Sequence, residues 1–207
     1  MTNKVLPGSC RPGVCVKRLT NCGNRRCDAF TLIELILVFG IILVLAGLIL
    51  STAGYARKKA ARARAETEIA AISAACENYK ADNGVYPRDN ATNQYTDTLD
   101  ARQYFDATQA VYNNASFYLY TQLSGDTTGN RNPTGKIYMT FKPNMLLPPG
   151  GNGTVTAISD PFGNSYGYST ANQADPATPK GYNPTFDLWS TAGGTTTDDT
   201  PKWIKNW

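Results

Sequence analysis

Residues 30 to 50 form an apolar run in which Glu34 is the only charge. As a helix, 21 residues rise ~31 Å at ~1.5 Å each, which matches the ~30 Å hydrocarbon core of a bilayer. The segment therefore reads as a membrane span with a carboxylate near one edge. An acidic side chain costs about 2.5–3.5 kcal/mol near the centre of such a helix and less near its end, so a functional partner is expected for Glu34. The competing reading is a Glu that snorkels to the interface.

The two sides of this run differ in composition. Residues 1–29 carry Lys4, Arg11, Lys17, Arg18, Arg25 and Arg26 against Asp28, a net charge of +5, and leave the remaining chain at −1. Basic residues before an apolar span hold that end in the cytoplasm, so the remainder is expected to be translocated. Four of the five cysteines, Cys10, Cys15, Cys22 and Cys27, lie in the same leader. Their spacings and the absence of His do not match a zinc site, and Cys76 alone remains beyond them. An ordinary secretory signal cut after Ser51-Thr52-Ala53 is the alternative for this region. The apolar run exceeds the usual length of about 7–15 residues, and a discarded peptide would have no use for Glu34.

Beyond the run, residues 53 to 81 are rich in Ala, Arg, Lys and Glu and contain no Pro, so the helix is predicted to continue. Ala65, Ile69, Ile72, Cys76 and Tyr79 recur at intervals of three and four, forming one apolar stripe that should face a globular head. Cys76 is read as a small core residue on that stripe, since no His or second thiol is at hand to activate it. Asn83-Gly84 supplies a stop and Tyr86-Pro87 prevents continuation, giving a helix from about Phe30 to Asn83. Short helices are predicted within 99–105 and 116–123, and a turn-rich loop over 124–135. Strands are predicted at 137–141, 155–159, 166–169 and 186–190, the second and third joined by a tight reversal at Asp160-Pro161-Phe162-Gly163-Asn164. The expectation is α+β: one antiparallel sheet of three or four strands against a long helix.

The run Ala29-Phe30-Thr31-Leu32-Ile33-Glu34 after a basic leader resembles the processing and methylation motif of type IV pilins and type II secretion pseudopilins. Further on, Asp160-Pro161-Phe162-Gly163-Asn164-Ser165-Tyr166, Phe186-Asp187-Leu188-Trp189-Ser190, Asp198-Asp199 and Asn206-Trp207 resemble the DPWGNPY, FDLYS and D-D…NW elements of the major, G-type pseudopilin. The resemblance implies the type IV pilin fold and three regions: a leader, 1–29, removed by a prepilin peptidase; a transmembrane half-helix, 30–53; and a periplasmic head, 54–207. It implies cleavage between Ala29 and Phe30, methylation of the new Phe30 amine, and pairing of Glu34 with the terminal amine of a neighbouring subunit. Ala29 stands where the family usually has Gly. The expected location is the inner membrane, single-pass, with the N-terminus cytoplasmic. The expected partners are other copies, other pseudopilins and an inner-membrane assembly platform that together build a filament.

The family's C-terminal loop binds calcium, which needs six to eight oxygens. Here the resemblance implies Asp198 and Asp199 as ligands, while the other acid of the pattern falls on Gly194, so a weakened or absent site is expected. With no His in the chain, Ser-His-Asp, Cys-His and HExxH chemistry is excluded, and no Gly-rich phosphate loop occurs, so no enzyme is expected. After Gly84 eight basic and ten acidic residues are scattered along the chain, which disfavours nucleic-acid binding. The sequence thus points to a structural pseudopilin subunit. The alternatives are a type IV pilus subunit for adhesion or motility, and a membrane-anchored binding protein that never polymerises.

Overall fold

A computed structural model describes residues 30–89, 95–178 and 180–207. The leader, with Ala29 and its four cysteines, lies outside the described residues. Helix α1 spans Leu32–Asn83, and the chain divides into one unit ending at Leu48 and a second, Ile49–Trp207. In the first unit the apolar side chains from Leu35 to Leu45 are exposed or nearly so, with no described residue packed over them. A soluble core helix would be covered.

In the second unit α1 supplies the predicted stripe. Ala65, Ile69, Ile72 and Cys76 are buried, and Tyr79 packs against them. The helix stops where the sequence asks it to: Gly84 takes a left-handed φ of 76°, and its N–H reaches the Lys80 carbonyl at 2.8 Å, closing an αL cap. Asn83 adds an Nδ2–H bond to the Tyr79 carbonyl.

Helix α2, Ala110–Ser124, begins six residues before the predicted 116–123 segment. Its first turns contain Val111, Tyr112, Asn113 and Asn114, which are weak helix formers, so propensity gave no signal there. Burial of Tyr112 and Ala115 stabilises the extra turns instead. Residues 99–105 were expected to be helical and form turns. The Asp100 side chain accepts N–H bonds from Arg102 at 2.9 Å and Gly181 at 3.0 Å, a local arrangement that competes with a helix.

Two small antiparallel sheets replace the single sheet that was expected. Strand β1, Leu146–Leu147, pairs with β2, Ala157–Ile158. The second sheet has the order β3-β4-β5, with β3 at Gly167–Ser169, β4 at Asp187–Ser190 and β5 at Ile204–Lys205. A four-residue helix α3, Ala171–Ala174, follows β3. The predicted partners 155–159 and 166–169 form no ladder with each other; the Ser159–Ser165 bridge beside them and the Tyr166 N–H to Ile158 carbonyl bond join the two stretches. The reversal between them does form: the Asp160 N–H bonds the Asn164 carbonyl at 2.8 Å. Residues 137–141 are not a strand, because the Tyr138 and Met139 N–H groups bond the Leu123 carbonyl at the end of α2 instead of a ladder. Strand β5 went unpredicted; two residues carry too little pattern.

Strand β4 lies between two clusters. Leu188 belongs to the core built on α1 with Ile72, Leu119, Ile158 and Tyr168, while Trp189 points to the other face and joins Leu99, Tyr112, Ala115 and Trp203. Trp189 stacks on Trp203 at 5.9 Å with the rings 12° apart, and its Nε1–H donates to the Tyr112 hydroxyl at 3.1 Å. Opposite it in the ladder is Gly167, where any Cβ would run into the Trp189 indole. Overpacking of this kind costs about 1–3 kcal/mol. Gly167→Ala should therefore lower the melting temperature of the detergent-solubilised full chain, followed by near-ultraviolet circular dichroism; an unchanged melt would show that the indole is free to move.

Candidate functional site

Glu34 sits in the first turn of α1, three residues after Thr31. The Thr31 N–H donates to Glu34 Oε2 at 2.9 Å, the Thr31 hydroxyl donates to the same oxygen at 2.7 Å, and the Glu34 N–H donates back to Thr31 Oγ1 at 3.3 Å. This is a capping box, in which two otherwise unpaired N–H groups at the start of a helix are satisfied reciprocally. The T-x-x-E spacing of Thr31 and Glu34 is the sequence signal for it, easily masked by the charge of Glu34 in an apolar run. Among the described residues the other oxygen, Oε1, has no hydrogen-bond partner. One carboxylate can thus close its own helix and still face a cation.

Phe30 lies just before this turn and is 82% exposed. Its backbone nitrogen would become the terminal amine after a cut at the preceding bond, so amine and carboxylate belong to one helix end.

In the C-terminal loop, where calcium ligands were expected, the Asp199 carboxylate is already engaged. Asp199 Oδ1 accepts a bond from Lys202 Nζ at 2.8 Å, and Oδ2 accepts from the Thr196 hydroxyl at 2.9 Å and the Thr195 N–H at 3.3 Å. A cation would have to displace an ammonium already in place. Gly194, where the pattern has its second acid, lies against the Asp199 side chain, so a carboxylate there would have no room in this arrangement. Asp198 is exposed at the start of the 3₁₀ turn Thr197–Lys202. Among the described residues no three Cys, Asp or Glu side chains converge to hold a metal. Lys202 went unnoticed in the sequence, and its three-residue spacing from Asp199 was the available signal.

The sequence elements quoted for the C-terminal half meet on β4. Asp160 caps its own reversal, accepting the Phe162 and Asn164 N–H groups at 2.9 and 2.8 Å, and its other oxygen accepts the Ser190 hydroxyl at 2.5 Å. Burial pushes the Asp160 carboxyl above its ordinary pKa against the pull of these bonds. Asn206 completes the other edge: its Oδ1 accepts the Leu188 N–H at 2.9 Å, and its Nδ2 donates to the Phe186 carbonyl at 3.2 Å. Cys76 is fully buried, and burial raises its thiol pKa far above the usual range, which keeps it out of thiolate chemistry.

The family model for the prokaryotic N-terminal methylation motif matches residues 24–50. The chain carries that methylation motif. The match covers the segment that ends in the apolar run, with Phe30, Thr31 and Glu34 inside it, and stops before the head. No curated protein and no solved structure matches the chain. The methylation motif, the one helix among the described residues long and apolar enough to cross a membrane, and the small antiparallel sheets support a type IV pilin-like protein, consistent with membrane anchoring by that helix and with the α+β fold of type IV pilins.

The Lys202 contact holds the Asp199 carboxyl down to a pKa of about 2, with the Thr196 and Thr195 bonds adding to the effect. Because the folded-state pKa is below the unfolded one, the stabilisation is present above the ordinary carboxylate range and is lost as pH falls through about 2. Lys202→Ala should return the Asp199 midpoint toward ordinary carboxylate values in a carboxyl-carbon NMR titration, and millimolar calcium should leave the wild-type melting temperature where chelator leaves it. An unmoved midpoint, or a calcium-dependent rise in the melt, would contradict this account of the loop.

Proposed function

We propose that this chain is a structural pseudopilin: a subunit cut between Ala29 and Phe30, methylated at the Phe30 amine, and polymerised into a periplasmic filament that drives a type II-like protein secretion system. The observation that carries the proposal is Glu34. Its carboxylate stands at the end of an apolar helix face that no described residue covers, with Oε2 engaged in its own cap and Oε1 without a partner among the described residues, where a neighbour's amine could meet it.

In lipid, apolar side chains gain little by exchanging acyl chains for each other, so packing and polar contacts decide association. An ammonium and a carboxylate attract strongly where the dielectric constant is low, and each costs free energy when left alone there. A subunit drawn out of the bilayer by the assembly platform would bury residues 35–50 against the same residues of its neighbours, and the Phe30 amine would meet Glu34 of an adjacent copy. The mechanism is mechanical. Growth of the rod, with other pseudopilins, would push cargo outward.

The choice of secretion over a pilus is supported by the C-terminal elements around β4. Asp160, Ser190 and Asn206 come from three separated stretches that resemble the major pseudopilin, and they interlock by hydrogen bonds on one strand.

Glu34→Gln and Glu34→Ala separate the two jobs of the side chain. Gln at this position can still close a capping box, whereas Ala cannot. If the charge pairs with an amine, both variants should insert in the membrane and both should lose sheared filament, by tenfold or so for a pair worth about 1.4 kcal/mol. Filament at wild-type yield from Glu34→Gln would show that Glu34 is only a cap.

A further inference from the structure

After Leu50, the last residue of the apolar run, α1 meets its next charges at Arg57, Lys58, Lys59, Arg62 and Arg64, with no acid before Glu66. That segment carries +5, the same as the leader on the opposite flank. A concentration of five cations beside a membrane span needs its own explanation.

Part of it is internal. Arg62 donates to the Lys202 carbonyl at 2.7 Å and lies 3.5 Å from Glu66, and Arg64 pairs with Glu68 at 2.7 Å. Arg57, Lys58 and Lys59 have no ion-pair partner among the described residues. Lys58 and Lys59, with Tyr55, line one side of a groove of about 680 Å³ whose other side includes Phe162 and Gly193. Lys202 also borders it but is held by Asp199.

Leu50 and this groove belong to the same unit. Eight helical residues separate Leu50 from Lys58, a rise of ~12 Å. The polar headgroup layer extends about 5–7 Å beyond the hydrocarbon on each side. Helical side chains lean toward the N-terminus, so the lysine stems of this segment lean back toward the bilayer. Tyr55, 74% exposed and five residues past Leu50, would reach the interfacial layer in which tyrosines are enriched if the run spans the bilayer.

We infer that Arg57, Lys58 and Lys59, with the groove beside them, bind the phosphate of anionic phospholipid headgroups in the bilayer that α1 spans. The inference rests on the membrane-anchored reading and needs no filament. Charge complementarity and the short tether to the span favour lipid over a second copy of the chain, whose head carries only scattered acids with a net −2 after Gly84. The lipid contact would hold the subunit at the membrane surface and be broken when the subunit is extracted.

The test uses the full chain, one copy per nanodisc, in phosphatidylcholine alone or mixed with phosphatidylglycerol, and measures lysine acetylation by peptide mass spectrometry. Basic residues near an anionic surface bind it about fivefold more strongly each, so Lys58 and Lys59 should be acetylated at least about threefold more slowly with phosphatidylglycerol. Lys142 should not change, and Arg57→Gln should narrow the difference. Equal rates in the two bilayers would overturn the proposal. Equal protection by millimolar inorganic phosphate over phosphatidylcholine would assign the groove to a free anion, and protection only in discs holding two copies would assign it to a second chain; either result overturns the lipid. A chain that does not stay in the discs would overturn the membrane anchor and this inference with it.

Discussion

The account depends on what happens to one carboxylate at the edge of an apolar helix. Glu34 cannot be buried in lipid or among neighbouring helices without partners for its oxygens. Thr31 supplies one set within the chain, through bonds of 2.9 and 2.7 Å to Oε2. This caps the helix end within the chain and leaves Oε1 without a partner among the described residues. Capping and the proposed intersubunit pairing are therefore compatible uses of one side chain rather than rival explanations of it. A Thr at position 31 is as much a part of this device as the Glu.

The head is organised around a different necessity: a strand buried on both faces. Strand β4 contributes Leu188 to the cluster on α1 and Trp189 to the cluster around Trp203. Its edges are held by polar contacts at both ends, Ser190 to Asp160 and the Leu188 N–H to Asn206. Such short sheets have little ladder of their own, so side-chain hydrogen bonds and the indole stack supply the order that long strands supply elsewhere. Sequence variation at Asp160, Ser190 or Asn206 should be felt through the whole strand, because each satisfies a buried backbone or hydroxyl group.

Much of this was legible in the residues, for reasons that differ by element. The scaffold half of α1 was read from a stripe of five residues whose period belongs to no other structure, and its end from Asn83-Gly84. The reversal at Asp160–Asn164 was readable because Pro and Gly prescribe turns. Residues 137–141 misled because alternating β-branched and aromatic side chains fit a half-buried irregular segment as well as a strand, and only the Leu123 carbonyl decides where their N–H groups go. The early turns of α2 and the two-residue β5 are set by tertiary packing that no local pattern encodes. Around the candidate site, the motif singles out Phe30 and Glu34, whereas the bonds of Thr31 and Lys202 went unread because a hydrogen-bond partner leaves a weaker trace than a charge in an apolar run. The loop at Asp198-Asp199 reads in sequence as a weakened calcium site, and what the residues alone did not reveal is the ammonium of Lys202 on the Asp199 carboxylate.

The central claim is that the apolar run is kept and the leader is discarded, so that Phe30 becomes the terminal amine that a neighbouring carboxylate can meet. Mass spectrometry of the intact protein extracted from membranes, with sequencing of its N-terminal peptide, addresses this directly. The account predicts a chain that begins at Phe30 and carries one methyl group on its α-amine. A chain beginning at Gly54, or one that retains the leader, would contradict it.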